Sequence, residues 1–338
     1  MNYLIKNVLV TGGAGYIGSH TVRTLQEKGF SVFVLDSLIT GNLKALGGDV
    51  KYYHGDIADR SLVLNIVKNE NIEAVIHFAA CSIVYDSMKH PDFYFTENVA
   101  KTNRFIASLL MGGVDKVVFS STAAIYGIPQ CVPIPENALT QPVNPYGVSK
   151  LMIEQMLYWM QLSYGLKWVA LRYFNAAGAM LDGSMGEDHR VETHLIPLVL
   201  KTALGQRETI KVFGNDYQTS DGTCIRDYIH VLDLAEAHIA ALHVLEKNTK
   251  GVIYNVGTGS GFSVNEVINT AKQITGNNIK VEIAKRRQGD PDQLVAKVDK
   301  IQNDLGWMPR YSQLETIISS AWEWHSKNPQ GYKSYSPF

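Results

Sequence analysis

Apolar positions along this chain fall into short β-branched runs and longer helical stripes, and the two alternate. Val8-Leu9-Val10 is a run of the buried-strand kind. The segment after it places Ile17, Val22 and Leu25 on one helical face and closes at Gly29. A second run, residues 31–35, ends in Asp36. Further strands are expected at 50–53, 74–78, 116–120 and 168–172. Helical stretches separate them at 60–70, at 91–111 and from Pro145 to about Ser163. Such alternation predicts an α/β fold, a Rossmann-type doubly wound parallel sheet.

After Asn175 the alternation breaks. A loop rich in Gly, Asp and His covers 178–192. Apolar helices follow at 194–204 and 233–245, with short strand-like pieces around Val212-Phe213 and 224–231. Tyr254-Asn255-Val256-Gly257 reads as a strand returning to the first sheet, and a helix around 315–325 finishes the chain. The expected organisation is a nucleotide-binding domain over 1–175, rejoined by elements from about 230–260. A smaller C-terminal α/β substrate lobe takes most of 176–338.

Composition narrows the setting. The 338 residues exceed one typical core, and 46% hydrophobic with 19% charged is ordinary for a globular protein. A formal net charge of -1 gives no basic excess for nucleic acid or an anionic membrane surface. No apolar run approaches the roughly 18 residues of a membrane span. Cys81, Cys131 and Cys224 stand far apart without ligand spacing. They read as free thiols in a reducing compartment, and no metal site is expected. Met1 to Asn7 is too short a leader for a signal peptide, so the expected location is the cytoplasm.

The first strand runs into Gly12-Gly13-Ala14-Gly15-Tyr16-Ile17-Gly18, a glycine turn opening a helix. Glycines let the backbone approach a pyrophosphate, and the helix N-terminus offers free N–H groups and a positive dipole end. Asp36, eighteen residues after Gly18, is placed for the adenosine ribose hydroxyls. With Ser37 and no arginine beside it, it favours NAD over NADP. Asp56 ends another strand, where it can bond the adenine amine or cap the helix from Arg60. Ala79 and Ala80 leave room for cofactor beside the backbone. Asn98, inside a helix, would ordinarily face solvent. Ser120-Ser121-Thr122 puts hydroxyls at a strand end facing the crevice.

Tyr146 and Lys150 stand four apart, on one face if the segment is helical. A nearby ammonium favours the phenolate, so Lys150 is expected to lower the tyrosine below its usual pKa of about 10 and make it a usable base. Taken alone, such a pair is more often a solvated helix face.

These motifs arrive in a fixed order, followed by Arg172-Tyr173-Phe174-Asn175. The set resembles the extended short-chain dehydrogenase/reductase superfamily. Gly214-Asn215-Asp216-Tyr217, residues 221–231 and Asp233-Leu234-Ala235 narrow the resemblance to its UDP-glucose 4-epimerase family. The similarity covers Val8 to about Tyr332.

The resemblance implies NAD as a bound cofactor and a UDP-sugar inverted at C4, within galactose metabolism. It implies Tyr146 as the base on the sugar O4, Lys150 on the nicotinamide ribose, and Thr122 on the sugar oxygen. It implies cofactor contacts from Gly12, Gly15, Tyr16, Ile17, Gly18, Asp36, Ser37, Asp56, Ile57, Phe78, Ala79, Ala80, Asn98, Ser120 and Tyr173. Substrate contacts are implied for Asn175, His194, Leu195, Phe213, Arg226, Arg287, Asp290 and Leu294. It also implies a homodimer through helices near 91–111 and 147–164.

Three positions depart from the family pattern: Ser82 replaces a lysine found in some members, His194 an asparagine, and Leu294 the residue that gates N-acetylated sugars. The competing expectations are an epimerase for UDP-N-acetylhexosamines or UDP-pentoses, a nucleotide-sugar dehydratase, and a non-catalytic NAD-binding regulator. Ala123 and Ala124 stand where a dehydratase needs acids.

Overall fold

The structure is a computed structural model, and it describes residues 4–247, 250–287 and 289–332. In chain order the elements of the first half are β1 (Asn7–Thr11), α1 (Tyr16–Glu27), β2 (Ser31–Asp36), β3 (Lys51–His54), α2 (Arg60–Asn69), β4 (Ala74–His77), α3 (Val84–Ser87), α4 (Pro91–Tyr94), α5 (Lys101–Met111), β5 (Lys116–Thr122), α6 (Pro145–Tyr164) and β6 (Lys167–Tyr173). The second half adds β7 (Asn175–Ala177), α7 (Leu195–Ala203), β8 (Ile210–Phe213), β9 (Ile225–Arg226), β10 (Tyr228–His230), α8 (Val231–Glu246), β11 (Val252–Val256), β12 (Phe262–Ser263), α9 (Val264–Thr275), β13 (Val281–Ala284), β14 (Gln293–Leu294), α10 (Asp299–Leu305) and α11 (Leu314–Lys327).

Seven strands form one parallel sheet in the order β11-β6-β5-β4-β1-β2-β3. Chain direction across the sheet reverses between β1 and β4, the crevice where open α/β sheets collect ligands. Both faces are covered, which is why these strands read as near-continuous apolar runs. Val8 and Val10 pack into the core that holds Val22 and Leu25 of α1 and Leu242 of α8. Leu9, between them, packs into the opposite core with Ile66 of α2, Phe105 of α5 and Leu157 of α6. Each fully buried aliphatic side chain is worth about 1.5–3 kcal/mol. A third core joins α7, α9 and α11 through Val199, Val267 and Ile317 beside the short strands of the second half.

β11 reaches the sheet from far along the chain and pairs with β6, Asn255 opposite Arg172. The helical stretch at 91–111 is interrupted: a π-turn at Phe95–Ala100 separates α4 from α5. That turn rotates Asn98 inward, so it is fully buried and not on the solvated face. α2 is capped by Asp59, whose carboxylate accepts from Leu62 N at 3.1 Å. Asp56 therefore is not the cap; it closes a turn on Ala58 N (2.8 Å) and pairs with Lys101 (2.6 Å). The three cysteines are free. Among the described residues no helix is long and apolar enough to cross a membrane.

Candidate active site

The glycine turn is built by crowding. Gly12 has φ +70, and a Cβ there would stand 2.6 Å from Ala79 N. A Cβ on Gly18 would stand 2.2 Å from the Gly12 carbonyl. Larger residues would push β1, α1 and the Phe78-Ala79 backbone apart. Gly15 is the extended N-cap of α1 and has no side chain to satisfy its first turn, which opens toward the crevice. Asp36 fixes the far side: its carboxylate accepts from Ala14 N (2.9 Å) and Leu38 N (2.8 Å). Burial pushes its pKa above the usual carboxylate value. Ser37 follows directly, Ile57 is buried, and Phe78, Ala79 and Ala80 continue from the end of β4. Tyr16 reaches the second half of the chain, donating to the Gly178 carbonyl at 2.7 Å.

Tyr146 and Lys150 both lie on α6. Asn144 caps that helix by accepting from Gly147 N (2.8 Å), and Pro145 pre-sets its first turn. Gly147 lets the helix start approach the one-turn 3-10 helix Ala123–Tyr126; a Cβ would sit 2.7 Å from the Ala124 carbonyl. Lys150 is buried and donates to the Ser120 carbonyl at 2.9 Å. The Ser120 hydroxyl meets the Tyr173 hydroxyl at 2.5 Å, and Thr122 pairs across the sheet with Tyr173. Thr122 caps the 3-10 turn, accepting from Ala124 N at 3.1 Å.

Asn98 holds this arrangement from the other side. Its amide donates to Ser149 Oγ (3.0 Å) and the Cys81 carbonyl (3.0 Å). Its oxygen accepts from Cys81 N (2.8 Å), and Ser149 donates on to the Tyr146 carbonyl (2.7 Å).

The electrostatics correct one expectation. Tyr146 has its pKa raised, not lowered, because burial removes water from the phenolate; Tyr173 adds to the rise and Thr122 opposes it. Lys150 stands 6.0 Å from the Tyr146 ring centre and is itself lowered to about 7 by burial. At that distance burial outweighs the lysine, and the phenol keeps its proton.

Several of the predicted substrate residues lie on or beside the short strands of the second half. β9 and β14 pair Arg226 with Leu294. Arg226 donates to Asp290 at 2.5 Å and to the Pro291 carbonyl at 3.0 Å. The Arg287 guanidinium lies 4.1 Å from the Phe213 ring centre. Tyr217, 3.8 Å beneath Arg286, donates to Asp290 at 2.9 Å. Asn175, two residues beyond Tyr173, donates its N–H to the Asp227 carbonyl at 2.9 Å, so the two groups of residues share one backbone connection. His194 and Leu195 begin α7, and His194 turns its Nδ1 to Glu187 at 2.5 Å.

A family model described as the NAD dependent epimerase/dehydratase family matches residues 8–257. The chain belongs to that family. This epimerase/dehydratase-family chain is 54% identical to a UDP-glucose 4-epimerase of Halalkalibacterium halodurans, over 97% of this chain and 98% of the relative. A crystal structure of a UDP-glucose 4-epimerase superposes with TM-score 0.95 and 49% identity, covering 97% of this chain and all of the other. The enzyme of that name from Bifidobacterium longum, in complex with NAD+ and UDP, gives TM-score 0.90 and 38% identity over 97% and 100%.

Residues outside the motifs position those within them. In this epimerase/dehydratase-family chain Glu154 binds Arg172 through two hydrogen bonds, 3.0 and 2.6 Å, and accepts from Ser121 at 2.5 Å. Arg172 also donates to Tyr126 Oη (2.9 Å), which donates to Asn255 (2.7 Å). Asn255 holds the approach to α6 as well: its Nδ2 donates to the Ile134 carbonyl and its N–H to Glu136. A sequence signal existed for Glu154, an acid one helical turn beyond Lys150. None existed for Ser149 or Asn255, whose roles depend on contacts distant in sequence.

Proposed function

We propose that this chain catalyses the reversible inversion of C4 in a UDP-hexose, interconverting UDP-glucose and UDP-galactose with bound NAD through a 4-keto sugar. The carrying observation is the buried grouping of Tyr146, Lys150 and Thr122 around Ser120, connected through Asn175 and Asp227 to Arg226. The likeness to UDP-glucose 4-epimerases supports the same reaction.

The residues present fit NAD. A Cβ would fill the cradle at Gly12, the first turn of α1 lacks a side-chain cap, and Asp36 ends the neighbouring strand. Gly12, Gly15, Tyr16, Ile17 and Gly18 would hold the pyrophosphate, Asp36 and Ser37 the adenosine ribose, and Asp56 and Ile57 the adenine. Phe78, Ala79, Ala80, Asn98, Ser120, Lys150 and Tyr173 would hold the nicotinamide end. When bound, NAD supplies a hydride acceptor that can also return the hydride.

Tyr146 removes the O4 proton and later gives one back, and Thr122 hydrogen-bonds the same oxygen. Since burial holds the Tyr146 proton tightly, the positive charge that Lys150 keeps when protonated is needed for the transfer. Arg226 and Arg287 pair with diphosphate oxygens, a geometry that suits guanidinium. Asn175, Leu195, Phe213 and Asp290 complete the UDP end, and Leu294 borders the sugar, while His194 is turned to Glu187. Holding the substrate at its UDP end leaves the sugar ring free to present either face. Residues 1–175 with about 230–260 form the cofactor half, and the rest mainly the UDP-sugar half.

The test is turnover of UDP-galactose by purified protein, with UDP-N-acetylgalactosamine assayed beside it. Tyr146→Phe lowers turnover by about 10²–10⁴-fold while NAD content and folding stay unchanged. Near-normal turnover in that variant defeats the proposal.

The same reading includes a homodimer. Met152, Trp159 and Leu162 lie exposed along α6, 42%, 65% and 56%, while Ile153 and Leu157 face the core. An exposed stripe of this kind fits a helix-bundle interface with a second copy. Sedimentation is expected to show a dimer at micromolar concentration, and a monomer alone refutes it.

A further inference from the structure

The loop between β7 and α7 carries a second cluster of polar groups, away from the Tyr146 grouping. Glu187, His189, Glu192 and His194 each bring one donor atom to a common point, all within 4.8 Å of one another. His189 Nδ1 lies 3.2 Å from Glu187 Oε1 and 3.4 Å from Glu192 Oε2. His194 Nδ1 lies 3.5 Å from Glu192 Oε1 and 2.5 Å from Glu187 Oε1.

Those separations have a geometric meaning. Zinc bound tetrahedrally by nitrogen and oxygen at about 2.0–2.1 Å holds its ligand atoms about 3.3 Å apart. Three of the four separations lie close to that edge length, the two at Glu192 being to different oxygens of its carboxylate. The fourth, between His194 and Glu187, is a hydrogen-bond length and would open by about 0.8 Å to accept an ion.

A second observation points the same way. The Glu192 side chain is 4% exposed, and its Oε2 is buried without a hydrogen bond, aimed into the cluster. Its other oxygen accepts from Thr193 N and His194 N, both at 2.8 Å, which fixes the carboxylate's direction. With only the His189 ring at 3.4 Å beside it, that buried oxygen is left short of partners unless a cation meets it. Glu187, also 4% exposed, is anchored through its carbonyl by Trp324 Nε1 at 3.3 Å, and the Tyr16 ring stands edge-on to His189 at 6.4 Å.

We propose that Glu187, His189, Glu192 and His194 bind one divalent transition-metal ion of the zinc class. Two imidazole nitrogens with two carboxylate oxygens suit zinc and its neighbours, and not magnesium or calcium, which take oxygen alone. Four protein ligands close the coordination shell, so the ion is structural. It staples the 187–194 loop against α1 and α11 and fixes the start of α7. Cysteine spacing gave no sign of this site, because none of its ligands is a cysteine.

The alternative is a metal-free network in which two protonated histidines neutralise the two glutamates. Metal uptake separates the two. Holoprotein is treated with a chelator, desalted and titrated with Zn²⁺, and in parallel with Co²⁺ followed by visible absorption. The expected result is about one equivalent per chain, with the intense visible bands of four-coordinate cobalt. Zn²⁺ also raises the thermal midpoint of the wild-type chain.

Glu192→Gln keeps the side chain's shape and His189→Gln removes an imidazole. Each weakens binding by more than about 100-fold, since changes to outer-shell partners alone cost about 10–100-fold. Circular dichroism and NAD content confirm that each variant is folded. No uptake by the wild-type chain, or undiminished uptake in both folded variants, overturns the proposal.

Discussion

One turn of α6 separates two buried groups whose charge is met in opposite ways. Glu154 binds Arg172 at both oxygens and takes a further bond from Ser121. Lys150 stands four residues earlier, an ordinary ion-pair spacing, yet Glu154 turns away from it. Lys150 donates to the Ser120 carbonyl, and burial lowers it to about 7. The first group is saturated and holds α6 to β5 and β6. The second is left without a carboxylate partner, beside the tyrosine proposed to move the proton. Unmatched burial beside matched burial separates a working group from a structural one.

The largest effect expected of this comparison is on the matched side. Arg172→Met leaves Glu154 buried without its partner and lowers stability by about 3–5 kcal/mol in denaturant unfolding. The double change Arg172→Met with Glu154→Leu recovers most of that loss.

Next is Lys150→Met, which separates stability from turnover. UDP-galactose turnover falls by about 10²–10³-fold, the range for losing one fixed electrostatic donor. Stability of the cofactor-free chain moves the other way. A lysine lowered to about 7 when folded costs most below pH 7. The cost fades as pH rises toward the unfolded value of about 10.4. Thermal unfolding should therefore show Lys150→Met above wild type at pH 6, with the gap closing by pH 10.

Gly147→Ala is smaller. Its methyl meets the Ala124 carbonyl at 2.7 Å and lifts α6 from the 3-10 turn, costing about 1–3 kcal/mol and lowering turnover with it. The exposed pair of Arg23 and Glu27 supplies the baseline: Arg23→Ala changes stability by no more than about 0.5 kcal/mol.

Much of the frame was legible in residue order. The strand, glycine turn, helix, strand and acid from Val8 to Asp36 are local, and each step has a local cause. The Tyr146 and Lys150 spacing was equally plain. Asn98 was not, because a π-turn rotates it inward and nothing local announces that turn. Asp59 displaced Asp56 as the cap of α2 because the helix begins one residue after Asp59, while Lys101, far along the chain, engages Asp56. The raised pKa of Tyr146 follows from burial, which spacing does not encode. His194 was read as a substrate residue; its bond to Glu187 depends on how the 178–194 loop folds back.

β11 carries a consequence for how the protein is made. A chain leaves the ribosome N-terminus first, at about 5–20 residues per second. β6 is released early, but its partner strand waits until everything between Tyr173 and Val252 has followed. Throughout that interval β6 shows an open sheet edge, the kind of surface that recruits wrong partners. Asn255, which anchors Tyr126 and the segment leading to α6, arrives with the same late strand. A nascent chain therefore carries Tyr146 and Lys150 well before the segment leading to their helix gains its last anchor.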